Sequence, residues 1–157
     1  MISLMESCPR CRIPLQSRQI AGRPLEECAG CGGLRVKIPV FQHLCSDVDA
    51  QAEVLVLKAP PPPLVEKRVE YLHCPTCGNL MNRMRYARGS NVITHICVGH
   101  GIWLHLPALQ EIILFIRAGG LERARRRDKE EQERKREMEY LTGLLNVCSG
   151  TGGPTMV

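Results

Sequence analysis

Eight residues that can bind a transition metal stand in two copies of one pattern. The first copy is Cys8-Pro9-Arg10-Cys11, sixteen intervening residues, then Cys28-Ala29-Gly30-Cys31. The second is Cys74-Pro75-Thr76-Cys77, nineteen intervening residues, then Cys97-Val98-Gly99-His100. Two ligand pairs, each split by two residues and separated by about 15–20, have the spacing of a tetrahedral zinc site. The first pair recurs at an offset of 66 residues and the second at 69. Both recur together, which points to a tandem repeat. The sequence therefore predicts two Zn2+ ions per chain, one held by Cys8, Cys11, Cys28 and Cys31, the other by Cys74, Cys77, Cys97 and His100. Four protein ligands saturate zinc and leave no position for water, so both ions are expected to be structural. No motif pairs either site with a general-base carboxylate, and the expectation is that the chain is not an enzyme.

The local chemistry fits this reading. Two residues between ligands let the chain turn back so that both side chains face one ion. Pro9 and Pro75 restrict that turn through their ring torsion. Gly78, Gly30, Gly32, Gly99 and Gly101 permit the positive φ angles tight knuckles use, while Arg12 stands where the second copy has Gly78. His43, His73, His95 and His105 lie outside the ligand pattern, as do Cys45 and Cys148.

The elements that must position these ligands are short. The fold class expected is small α+β: two zinc-ribbon modules, each followed by a helix, and then a long charged C-terminal helix. The first module with its helix takes residues 1–58, a proline-rich linker 59–68, the second module with its helix 69–120, the charged helix 121–146 and a disordered tail 147–157. In the first module strands are expected around Leu15–Ser17 and Pro24–Glu27. A helix follows from Pro39 through Val40, Leu44, Val48 and Ala52 toward Leu57. The run 59–63 is a stiff spacer. In the second module strands are expected at Val69–His73, Leu80–Tyr86 and Val92–Cys97, and a helix at Ala108–Ala118 ends at Gly119-Gly120. Trp103, just after the last ligand, is expected to pack on the zinc site and anchor that helix. Leu109, Ile112, Ile113 and Ile116 form an apolar stripe that requires cover from elsewhere in the chain or from a second copy.

The run Cys97-Val98-Gly99-His100-Gly101-Ile102-Trp103-Leu104, with Cys74-Pro75-Thr76-Cys77 and Asn82-Arg83, resembles the transcription-factor-IIB-type zinc-ribbon family. Cys28-Ala29-Gly30-Cys31-Gly32-Gly33-Leu34 is similar to the same motif. The resemblance covers residues 8–45 and 74–117, and implies zinc binding through the eight ligands already named and a link to transcription. The family often carries an acidic residue after its Trp-hydrophobic pair and a Gly-Glu-Leu helix start. Here Trp103-Leu104-His105 and Pro107-Ala108-Leu109 occupy those places, with Arg35-Val36-Lys37 and Pro39-Val40-Phe41 in the first copy, so the acidic positions are absent from both.

Charge and compartment narrow the partners. The formal net charge is +5. Zinc on four thiolates contributes −2 and zinc on three thiolates plus neutral His −1, which brings the loaded protein near +2. Residues 1–45 carry six basic and three acidic side chains, and 71–120 carry four and one, so both ribbons are mildly basic. Arg83, Arg85 and Arg88 cluster on the expected hairpin, with Tyr86 beside them. The partner is therefore either nucleic acid or protein, with a lean to nucleic acid or the transcription machinery from the resemblance. A homodimer through helix 108–118 or the C-terminal helix is a further expectation. No run is long and apolar enough for a signal peptide or membrane span, and Cys-x-x-Cys pairs suit a reducing, cytoplasmic setting. The alternative function is a redox-sensitive switch, in which cysteine oxidation releases zinc and unfolds a ribbon.

Overall fold

The computed structural model describes residues 6–58 and 69–150. In the first repeat β1 (Gln16–Ile20) turns into β2 (Arg23–Glu27) through Ala21 and Gly22. Both turn residues take positive φ, 52° and 68°, the pattern of a type I′ hairpin turn. After the second ligand pair comes β3 (Gly33–Val36), a strand where the sequence shows only the end of the metal motif. The second repeat gives β4 (Asn82–Arg85), β5 (Ile93–Cys97) and β6 (Gly101–His105). The strand expected at Val69–His73 is absent: there the only pairing among the described residues is one bridge from His73 to Leu80.

The expected helix from Pro39 toward Leu57 is two helices, α1 (Ile38–Ser46) and α2 (Val48–Val56). The break falls at Asp47, whose carboxylate accepts the Ala50 N–H at 2.8 Å and so caps α2. An aspartate there favours a new N-terminus over continuation of the previous helix. The second repeat continues into α3 (Leu106–Arg117). Pro39 and Pro107 each lie one residue inside their helix, where a missing N–H costs no bond. α4 (Gly120–Ser149) runs beyond the expected end at Asn146 and takes in Cys148. The linker 59–68 and residues 151–157 lie outside the described residues.

The six strands form one antiparallel sheet in the order β1-β2-β3-β6-β5-β4. Its centre is the pairing of β3 with β6, one strand from each repeat. The pairs are Gly33 with His105, Leu34 with Leu104, Arg35 with Trp103 and Val36 with Ile102. A shift of 68 residues maps the Arg35–Trp103 pair onto itself and exchanges Leu34–Leu104 with Val36–Ile102. The sheet thus has a pseudo-two-fold axis through the Arg35–Trp103 pair, and the same offset of 68 separates Pro39 from Pro107.

Directly opposed residues share a face. Leu34, Val36, Ile102 and Leu104 lie on one face, in a core with Ile20, Leu25, Phe41, Leu44, Val54, Leu109, Ile112 and Ile113. The apolar stripe of α3 is therefore covered within the chain. Gln110 donates to the Val54 and Leu57 carbonyls at 3.0 and 2.8 Å, and Arg117 donates to Gln51 at 3.1 Å, which ties α3 to α2. Tyr86 sits edge-on between Phe41 of α1 and Phe115 of α3, with ring centroids 5.9 and 6.4 Å away. The opposite face carries Arg35, Arg83, Arg85, His95, Trp103 and His105 beside the ligand knuckles.

From Leu121 the chain forms a separate unit. Most of it is a polar helix with i,i+4 pairs such as Glu131 with Lys135 at 3.3 Å. Met138, Leu141, Leu144 and Leu145 are exposed toward its end.

Candidate metal centres

The first pair of each ligand set is built by the same backbone turn. The Cys8 N–H donates to the Ile13 carbonyl at 2.8 Å, and the Cys74 N–H to that of Asn79 at 2.7 Å. The N–H of Arg12 returns to the Cys8 carbonyl, and that of Gly78 to Cys74, both at 2.9 Å. The turn needs a left-handed residue at its fourth following position. Gly78 supplies it at φ 72°, and Arg12 adopts φ 62° despite its side chain. Inside each turn N–H groups face the first sulfur: Arg10 and Cys11 toward Cys8 at 3.4 and 3.3 Å, and Thr76 toward Cys74 at 3.4 Å. In the first repeat the second ligand pair lies in the turn between β2 and β3, and in the second Cys97 ends β5 and His100 lies in the turn to β6.

All eight predicted ligands come together in the predicted groups. Cys8, Cys11, Cys28 and Cys31 place their ligand atoms within 4.8 Å of one another, and so do Cys74, Cys77, Cys97 and His100. A tetrahedral ion with Zn–S near 2.3 Å requires sulfurs about 3.8 Å apart. The Cys8–Cys31 and Cys77–Cys97 sulfurs are separated by 3.7 and 3.6 Å, and Cys97 Sγ lies 3.4 Å from His100 Nδ1. The residues fit the ion. His73, His95, His105, Cys45 and Cys148 belong to neither group, as expected. His95 is buried, its Nε2 3.2 Å from the Glu70 carbonyl, and burial lowers its pKa. Cys45 is pushed up to about 12 by burial, so it remains a neutral thiol.

The thiols show why a cation belongs there. Burial works to raise Cys28 and Cys74, yet backbone N–H groups and neighbouring thiols outweigh it and lower both. Burial, with neighbouring cysteines, raises Cys31 and pushes Cys97 up to about 12. Each set thus holds a favoured thiolate beside a disfavoured one, and a divalent ion would neutralise them together.

Residues beyond the ligands complete the centre, and of these the sequence points to Trp103. Trp103 is buried in one cluster with Cys8 and Cys28 of the first set and Cys74 of the second, together with Leu72 and Met81. Its expected packing on a zinc site is therefore packing among ligands of both. Gly33 leaves the room: a Cβ there would stand 2.1 Å from Trp103 Cζ2. Arg35 is buried, paired with Glu6 and, at 2.8 Å, with Glu26. Burial lowers its pKa, while the charges of Cys74 and Cys97 in the other repeat act to raise it. The one sequence signal for Arg35 is strand alternation, in a segment too short to show it clearly.

A cavity of about 200 Å3 opens on this face, lined by Arg10, Glu70, Arg83, His95, Trp103 and His105 among others. No described helix is long and apolar enough to cross a membrane. No protein-family model, curated protein or solved structure matches the chain.

Proposed function

We propose that this chain is a non-enzymatic binding module whose sheet is assembled on two structural zinc ions, and that nucleic acid in a transcription-linked setting is its partner. The observation that supports the structural-zinc part is the closed ligand set: four donor atoms within 4.8 Å of one another in each group. The nucleic-acid part is supported by Arg83 and Arg85. Both are exposed on edge strand β4, on the face away from the helices, and neither has an ion-pair partner among the described residues. Tyr86 points to the helix side and is occupied by Phe41 and Phe115, so affinity would come from phosphate contacts rather than stacking on that ring. The resemblance to transcription-factor-IIB-type ribbons agrees with this partner class, and reduced zinc thiolates suit the cytoplasm.

The test is fluorescence anisotropy of the zinc-loaded chain with single- and double-stranded DNA and RNA across salt concentrations. Binding should weaken steeply with salt. Replacing Arg83 and Arg85 by Ala should lower affinity and reduce the salt slope by about one unit for each phosphate no longer neutralised. No binding at low salt would overturn this partner class. A protein partner would then be favoured, and a second copy meeting the exposed Met138–Leu145 end of α4 would be the first to examine.

One observation favours the redox reading as a second function: Cys77 is exposed, and its sulfur is 3.6 Å from that of Cys97. Peroxide would be reduced to water as the two thiolates form a disulfide, and Zn2+ would leave. Full zinc retention after mild peroxide would rule this out.

A further inference from the structure

The knuckles of the two repeats hold each other. Arg10, the third residue of the first knuckle, pairs with Glu70 at 2.8 Å, in the segment that leads into the second. Thr76, the third residue of the second knuckle, donates its hydroxyl to Glu6 at 2.9 Å, in the segment that leads into the first. Positions 10 and 76 are 66 apart, the offset of the first ligand pair. The brace is therefore reciprocal, each third knuckle residue reaching a glutamate two or four residues before the other repeat's first cysteine.

Beneath the brace the two centres share one buried layer. Trp103, three residues after the ligand His100, lies in a cluster with Cys8, Cys28 and Cys74. Gly33, two residues after the ligand Cys31, lies against the Trp103 ring. Arg35 of the first repeat stands directly opposite Trp103 of the second in the β3–β6 register. β3 and β6, which leave the two second knuckles, are the paired central strands. Each ligand set is thus framed in part by residues of the other repeat.

We propose that the two metal ions bind with positive cooperativity, so that the chain changes as a unit between a metal-free and a doubly loaded state. The proposal rests on both groups being metal sites. Binding energy at a structural zinc site is folding energy. The first ion orders Trp103, the brace and the β3–β6 pair, and the second ion meets a site whose ordering is already done. The module would then be switched on over a narrow range of free zinc.

The test titrates the full-length, reduced, metal-free chain with Co2+, whose ligand-field absorption distinguishes a four-sulfur site from a three-sulfur, one-nitrogen site. Trp103, the single tryptophan, is followed by fluorescence. Both absorption signatures should rise together, more steeply than a single-site curve. Cys77→Ser should weaken cobalt binding at the first site by about 5–150-fold, and Cys11→Ser should weaken the second by the same factor, because coupling is reciprocal. The double variant Thr76→Val, Glu70→Gln keeps all eight ligands. It should still bind two ions, with the coupling reduced at least about threefold, a detectable part of that range. Independent filling of the two sites, with first-site affinity unchanged in Cys77→Ser, would overturn the proposal, as would unchanged coupling in the brace variant. Absence of any cobalt–thiolate absorption would instead bring down the metal reading itself.

Discussion

Arg12 and Gly78 show how one backbone requirement is met by two unlike residues. Both sit where the knuckle turn closes on the carbonyl of its first cysteine, with φ of 62° and 72°. A left-handed conformation costs a residue with a Cβ about 1–2 kcal/mol, and glycine avoids that cost at about 0.5–1 kcal/mol of extra chain entropy. Arg12→Gly should therefore stabilise the zinc-loaded protein by roughly 0.5–1 kcal/mol, read as a higher denaturation midpoint. Gly33 poses the opposite case. Its space is taken by the Trp103 ring, so Gly33→Ala must displace a fully buried indole. A loss of about 2–3 kcal/mol is expected, together with a changed Trp103 emission in the loaded protein. Unaltered emission and stability would show that the strand yields without moving the ring.

At the scale of elements, short-range chemistry sets where helices begin, and pairing sets what becomes a strand. Asp47 ends one helix and starts another by binding the Ala50 N–H. The break is hidden in the sequence because Val40, Leu44, Val48 and Ala52 keep helical spacing across it. Asp47→Ala should cost about 1 kcal/mol, with Asp47→Asn or Asp47→Ser recovering most of it. Equal stability of all three would mean that the backbone bond from Asp47 to His43 suffices as a helix stop. β3 and β6 are hidden for a different reason. Four or five residues with no clear alternation read as a motif tail, because the central strands of a sheet are buried on both faces. The expected Val69–His73 strand has the apolar content, yet it gains only one bridge.

For the whole molecule, the consequence of one sheet spanning both repeats is that metal removal acts on all of it. Chelation should abolish the Trp103 environment and the sheet together, while helical signal from the polar, i,i+4-paired α4 persists in part by far-ultraviolet circular dichroism. Acid should do the same. A metal-bound thiolate has its proton affinity depressed relative to the free chain, so its contribution is present at higher pH and lost as pH falls and protons displace the ion. Zinc release and loss of Trp103 emission should therefore follow one curve against pH. Two separated steps, with half the zinc leaving before the emission changes, would show that the repeats unfold one at a time.

The eight ligands, their division into two sets, the hairpins, Pro39 and Pro107 inside their helices and the polar last helix are legible in the sequence. Metal-ligand spacing, turn residues and helical periodicity are local, and each is written within a short stretch of chain. The tertiary structure alone decided that β3 pairs with β6, that Trp103 sits among ligands of both centres, that Arg10 meets Glu70 and Thr76 meets Glu6, and that α2 covers α3. Those pairs join residues far apart in the chain. Their partners are chosen by which buried surfaces fit once the sheet has closed, and no local pattern encodes that choice. The offset of 68 between Pro39 and Pro107 is visible in the sequence, but only the strand register gives it meaning as a pseudo-two-fold axis.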